Sequence, residues 1–294
     1  MAAKDPDESA RGLGFALAAY VTWGLMPIYF KALRPVPALE ILAHRIAWSA
    51  LLLAGMLARR GGPGFRAPFR RDRLPLLAVT TVLISTNWLV YIWAVQAGRI
   101  VEASLGYFVT PLVNVLLGVA VLREPLTRRQ RVAVALAGAG VAVLVLRTGA
   151  FPWVSLTLAA SFGLYGLLRK RAAVDSVGGL FGETVLLAPA ALAYLALGAR
   201  AGTGAFGTGA AVTSLLLAAG PVTAFPLVWF GLAVRRLRLS TMGLVQYLTP
   251  TSQFLLGVLL YREPFGAAHA AAFACIWASL ALYTWEVYAR VRAG

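Results

Sequence analysis

The sequence predicts an all-α integral membrane protein, with ten transmembrane helices arranged as two inverted five-helix repeats. Three observations carry that prediction. The first is apolarity: 60% of the 294 residues are hydrophobic and 13% are charged, against about 45–50% and about 25% in soluble domains. The second is an internal duplication at an offset of 139 residues (250 − 111), which needs no gap. Thr110-Pro111, Leu116-Leu117-Gly118-Val119 and Arg123-Glu124-Pro125 recur as Thr249-Pro250, Leu255-Leu256-Gly257-Val258 and Arg262-Glu263-Pro264. The same offset places Trp23-Gly24 on Phe162-Gly163, and Arg99 on Arg238. The third is the distribution of basic residues. With the N-terminus inside, inner segments hold 20 of the 27 Lys and Arg, outer segments hold six, and Arg45 lies within a span.

The apolar runs have the roughly 17–25 residues that cross hydrocarbon as a helix. In order, the spans are expected at about 12–31, 38–58, 74–97, 101–122, 131–147, 151–168, 176–197, 209–234, 239–260 and 268–288. Short linkers rich in Gly, Pro and Arg, such as 59–73, separate them. The first span is expected to stay as a helix rather than be cleaved, because it contains Trp23, Pro27 and Lys31 and follows a segment with Asp5, Asp7 and Glu8. The repeats divide the chain into residues 1–149 and 150–294. An odd number of spans per half makes the second copy inverted, and the basic-residue bias puts both termini in the cytoplasm. Duplicated membrane halves point to a secondary transporter working by alternating access.

The net charge of +16 does not indicate nucleic acid, because the arginines sit in short loops between spans and not on one helical face. A single cysteine, Cys275, excludes an intrachain disulfide and a cysteine-based zinc cage. No metal or cofactor motif is present; the expected partners are a small-molecule substrate and the lipid bilayer, and the oligomeric state is not encoded legibly. An integral-membrane enzyme is disfavoured because His44 and His269 fall in different spans and the Gly-rich stretches lack a phosphate-loop lysine.

Several residues are candidates for the transport path. Pro111 and Pro250 cannot donate to the carbonyls of Tyr107 and Gln246, so each is a candidate hinge beside the cavity. Tyr107, Thr110 and Asn114 share one helical face, and their offset counterparts are Gln246, Thr249 and Gln253. These stripes are expected to point inward, either to a cavity or to helix–helix hydrogen bonds. Tyr20, Trp23, Asn87, Tyr91, Tyr165, Trp229 and Tyr247 are candidates for an amphipathic pocket wall. The ionisable residues Glu40, His44, Arg45, Glu102 and Glu183 are functional candidates by their place in spans. Structural pairing among Glu40, Arg45 and Glu102 is the first expectation, and a proton-sensing Glu40–His44 pair is the alternative. The Arg-Glu-Pro turns are expected to be structural, with Pro opening the following helix and Glu favouring its positive end. Small residues at Ala133, Ala137, Gly178 and Gly182 suggest close helix packing.

These motifs together resemble the EamA-type drug/metabolite transporters, and most closely their RarD-type branch. The resemblance rests on Trp23-Gly24 with Pro27, Tyr29-Phe30-Lys31, Glu40-Ile41, His44-Arg45, Trp48-Ser49, Asn87-Trp88-Leu89, Ile92-Trp93-Ala94-Val95 and the run Glu102 to Phe108. In the second half it rests on Tyr165-Gly166-Leu167, Glu183-Thr184, the run Arg236 to Thr241, and Gln246-Tyr247 before Pro250. It covers essentially the whole chain and implies export of small organic solutes across a bacterial inner membrane. Related aromatic amino-acid exporters point to aromatic or other neutral amino acids, with chloramphenicol-like drugs as the alternative.

Overall fold

The computed structural model describes residues 6–59, 63–122, 127–171, 174–237, 241–242 and 245–293. Its regular structure there is helical: α1 (Pro6–Ala32), α2 (Ala38–Arg59), α3 (Leu74–Gln96), α4 (Ile100–Leu122), α5 (Arg128–Thr148), α6 (Trp153–Arg171), α7 (Ser176–Arg200), α8 (Ala210–Arg236), α9 (Leu248–Leu255) and α10 (Ala267–Ala293). A helical turn at Pro63–Arg66 and a 3-10 turn at Ala67–Phe69 lie between α2 and α3.

Among the described residues eight helices are long and apolar enough to cross a membrane. The two that fall short are α6, whose last turn holds Arg169 and Arg171, and α9. The span expected at 239–260 is interrupted. A turn at Gln246–Tyr247 precedes α9, and a π-helical segment, Leu256–Leu260, follows it. Pro250 therefore sits in the first turn of a new helix, where a missing N–H costs little. The carbonyl of Gln246 accepts instead from Thr249 N at 3.3 Å. The two prolines therefore differ in setting: Pro111 lies inside a continuous α4, whereas Pro250 stands in the first turn of α9, after the interruption.

Local sequence explains the clearest helix ends. Thr127 and Gln130 form a reciprocal capping box on α5, and Gly149, at φ +64°, closes it with a bond to Val145 O at 2.9 Å.

The 139-residue offset maps α1 to α5 onto α6 to α10. Under that exchange the packing is largely preserved. The α1–α8 contact becomes α6–α3, α4–α6 becomes α9–α1, and α2–α8 becomes α7–α3. The α2–α7, α4–α9 and α5–α10 contacts map onto themselves. Atomic detail follows the same rule. Ser279 Oγ donates to Ala133 O at 2.6 Å, while their offset twins, Gly140 and Ala272, approach so closely that a Cβ on Gly140 would lie 2.9 Å from Ala272 O. Gly24 and Gly163, also twins, press against Ser252 and Val113, likewise twins, at 2.7 and 2.9 Å from an added Cβ. Such contacts need small residues because van der Waals packing carries helix association in lipid.

Candidate functional site

The interior is built around Arg45, about 10 Å along α2 at 1.5 Å per residue. Its Nε donates to Thr223 Oγ1 of α8 at 2.8 Å, and its guanidinium lies 4.2 Å from the Trp88 ring centroid of α3. The phenols of Tyr29, Tyr91 and Tyr107 are within electrostatic reach. Arg45, Tyr29 and Tyr107 each keep some accessible surface. Among the described residues no carboxylate reaches Arg45.

From there a run of rings crosses four helices. Phe30 meets Tyr91 at 5.9 Å, Tyr91 meets Tyr107 at 5.7 Å, Tyr107 meets Phe162 at 6.1 Å, and Phe162 meets Tyr165 at 6.2 Å. Edge-to-face packing orients most of these rings. The run ends at Glu183, whose Oε2 accepts from Tyr165 OH at 3.1 Å, while Oε1 is buried without a partner. The phenol protons nearer Arg45 are spent on protein acceptors: Tyr29 OH donates to Leu215 O at 2.8 Å and Tyr107 OH to Asn87 Oδ1 at 3.2 Å. Tyr91 OH is buried and unpartnered.

Not all candidates from the sequence meet this site. Asn87 is buried, and its amide nitrogen donates to Leu158 O at 3.1 Å and Ser161 Oγ at 3.0 Å, so it clamps α3 to α6 and orients Tyr107. Thr110 donates to Gly106 O within its own helix, and Asn114 is exposed beside Gly163. In the second stripe Thr249 Oγ1 donates to Tyr20 O at 2.8 Å and Gln253 Nε2 to Trp23 O at 3.1 Å, which are helix–helix bonds. Gln246 lies in the turn before α9. Tyr20 and Trp23 pack with Phe230 at 6.1 and 5.8 Å, Trp229 stacks on Phe225 at 6.2 Å, and Tyr247 stacks on Phe108 at 6.5 Å. These four rings stand apart from the Arg45 wall.

The expected pairing of Glu40, Arg45 and Glu102 is corrected. Glu40 Oε1 accepts from Ala205 N at 2.6 Å, and Glu102 pairs with Arg99 at 2.6 Å. Arg45 faces Trp88 and Thr223 instead. His44 accepts from Trp48 Nε1 at 3.2 Å and stacks on Phe206 at 5.1 Å, leaving Nε2 buried without a partner. Glu40 finds a loop amide 165 positions away, which no local spacing announces, whereas Glu102 finds Arg99, three residues before it.

The Arg-Glu-Pro turn at 262–264 also works differently from expectation. Pro264 precedes α10 by three residues, and Arg262 takes the left-handed conformation at φ +51°. Glu263 receives Ile100 N at 2.9 Å and Val101 N at 2.8 Å, so it caps α4 of the other half and not the helix that follows it. Its twin turn at 123–125 lies outside the described residues, as does Arg238. Beside Glu263 a cavity of about 300 Å³ is lined by Arg99, Glu102, Leu105, Phe151, His269 and Phe273 among others. It does not include Arg45. Among the described residues no cluster of His, Cys, Asp and Glu is assembled to hold a metal ion.

Sequence reasoning assigned no site role to Tyr29, Trp88, Thr223 or Pro27. For the first three the available signal was Arg45 itself, since an arginine within a span must find partners on its neighbours. For Pro27 the signal was its place in α1, which leaves the carbonyl of Trp23 without a helical donor.

A multi-span helical bundle with an interior of polar and aromatic side chains is an architecture that membrane transporters use. The chain belongs to the EamA-like transporter family, whose sequence model matches residues 10–146, and within it to the RarD-type branch. It is 45% identical to an uncharacterized transporter of Pseudomonas aeruginosa, over 96% of both chains. It is 42% identical to Protein RarD of Escherichia coli, over 96% of both chains. A further relative, the chloramphenicol-sensitive protein RarD of Pseudomonas aeruginosa, is 34% identical over 95% of both. A solved crystal structure aligns with a TM-score of 0.60 at 19% identity, over 94% of this chain and 98% of that one, which shows a shared fold.

Proposed function

We propose that this protein is a secondary transporter that exports small organic solutes, chiefly aromatic or other neutral amino acids, across a bacterial inner membrane. Ten membrane helices form two inverted five-helix repeats, both termini are cytoplasmic, and the halves rock about a midplane site. The observation that carries this reading is the packing of the two halves, largely preserved when they are exchanged, around an interior aromatic wall. Paired, exchangeable halves supply two related arrangements of one bundle, as alternating access requires. The wall of Phe30, Tyr91, Tyr107, Phe162 and Tyr165 suits a solute with an apolar body and a few polar groups.

The test is counterflow in proteoliposomes. Labelled amino acid should enter faster when unlabelled solute is trapped inside, as carriers do and channels and enzymes do not. Sidedness is tested in a Cys275→Ser chain. Cysteines introduced as Arg123→Cys and Arg262→Cys should react with an impermeant reagent from opposite sides; reaction from the same side sinks the inverted repeat. The name of one relative supports a second reading, in which chloramphenicol-like drugs are exported. Adding chloramphenicol as competitor to the counterflow assay decides between the two.

A further inference from the structure

Arg45 combines three properties that a merely structural arginine does not need. Its guanidinium is held in a fixed plane, by Thr223 at Nε and the Trp88 face at 4.2 Å. Its two terminal nitrogens have no protein acceptor among the described residues. It also keeps some accessible surface, unlike its buried neighbours His44 and Ile46. The acids on neighbouring elements are already engaged: Glu40 with Ala205 N, Glu102 with Arg99, and Glu183 with Tyr165. A guanidinium at membrane depth is costly without a counter-charge, and here none of the described residues supplies it.

The surroundings say what shape of anion fits. The open edge of a guanidinium offers two parallel N–H groups, which match the two oxygens of a carboxylate. The unpartnered, buried Tyr91 hydroxyl within electrostatic reach offers one more donor. Tyr29 and Tyr107 have spent their protons on Leu215 O and Asn87 Oδ1, so their hydroxyls do not compete as donors. The rings of Tyr91 and Tyr107 continue toward Phe162 and give an apolar body a surface to lie on.

We propose that Arg45, assisted by Tyr91, binds the carboxylate of the transported solute, so that the substrates are organic acids or zwitterions and not neutral or purely cationic molecules. The proposal rests on the transport reading above and narrows it to a class. It makes Arg45 a specificity-determining residue, and Thr223 and Trp88 residues that position it.

The experiment uses the purified full chain in proteoliposomes, with labelled L-phenylalanine and L-leucine in counterflow. Unlabelled competitors come in matched pairs: each amino acid against its amide, and 3-phenylpropionate against phenethylamine. The acids should compete at least about tenfold better than their partners, the scale of lost charge-assisted hydrogen bonds. Arg45→Gln should bring that ratio within about twofold, and Arg45→Lys should leave an intermediate ratio, because it keeps the charge and loses the fork. Equal competition by acids and amides in the unmodified protein overturns the proposal and leaves transport standing. So does an acid preference retained in Arg45→Gln. If neither labelled amino acid shows counterflow, the amino-acid transport reading itself fails, and this inference with it. Should Arg45→Gln not yield monodisperse protein, the ratio in the unmodified chain and in Arg45→Lys decides.

Discussion

Gln253 of α9 donates its side-chain amide to the carbonyl of Trp23 in α1 at 3.1 Å. That carbonyl is the one that Pro27, four residues on, leaves without a helical donor. The two facts complete each other: a proline opens a hydrogen-bonding vacancy in one half of the chain, and a fully buried glutamine from the other half fills it. In an apolar surrounding a vacant carbonyl is costly, so the pairing joins α1 to α9 by more than packing.

Gln253→Leu should therefore destabilise the protein by about 1–3 kcal/mol, the cost of leaving a buried acceptor unsatisfied. Restoring the backbone donor with Pro27→Ala should make the glutamine dispensable. In a double-mutant cycle read by thermal unfolding in detergent, the penalty of Gln253→Leu should shrink by at least half in the Pro27→Ala background. Independent, additive losses would show that the two residues do not share one carbonyl.

Close helix contacts at single glycines make a second prediction. A Cβ on Gly106 would lie 2.7 Å from Ser155 O, and one on Gly220 would lie 2.8 Å from the backbone of Trp48. Backbone cannot move aside as a side-chain tip can. Gly106→Ala and Gly220→Ala should each cost about 1–3 kcal/mol through overpacking. Gly166→Ala, with nothing within 4 Å, should be neutral or slightly stabilising by helix propensity. Thermal midpoints of the three variants check this directly.

Glu263 is expected to matter for stability across the two halves and not for its own turn. Glu263→Ala removes both acceptors from the first amides of α4 and should cost about 1–2 kcal/mol. Glu263→Gln keeps one acceptor and should cost less. Hydrogen exchange of Ile100 and Val101 is the informative measurement, since both amides should lose protection together in the alanine variant. Unchanged protection would mean that the carboxylate does not cap α4.

Asn87 tests the difference between a substrate contact and a clamp. Its amide nitrogen is bound to Leu158 O and Ser161 Oγ. Asn87→Leu should lower the thermal midpoint and the yield of monodisperse protein. Tyr107→Phe removes only the bond to Asn87 Oδ1 and should cost about 1 kcal/mol. If Asn87→Leu instead folds normally and loses only solute binding, the clamp assignment is wrong.

The class of protein was legible before any fold was seen, and for local reasons. Runs of apolar residues long enough to span hydrocarbon declare a membrane helix without reference to neighbours. The 139-residue repeat declares paired halves, and Thr127 with Gln130 declares a helix start, because capping is settled within one turn. The need for Arg45 to find a partner could also be read, since an isolated charge within a span always needs one. Which partner could not. Arg45 facing Trp88 and Thr223, Gln253 reaching Trp23, and Glu263 crossing to Ile100 are contacts between residues 43 to 230 positions apart. They depend on how each helix is rotated about its axis and on which helices become neighbours. In a chain this apolar, hydrophobic periodicity says little about rotation, because lipid-facing and protein-facing sides are nearly equally apolar. Helix orientation is then decided by small-residue contacts and by the few polar groups that must be satisfied together, and only the assembled bundle brings those groups into range.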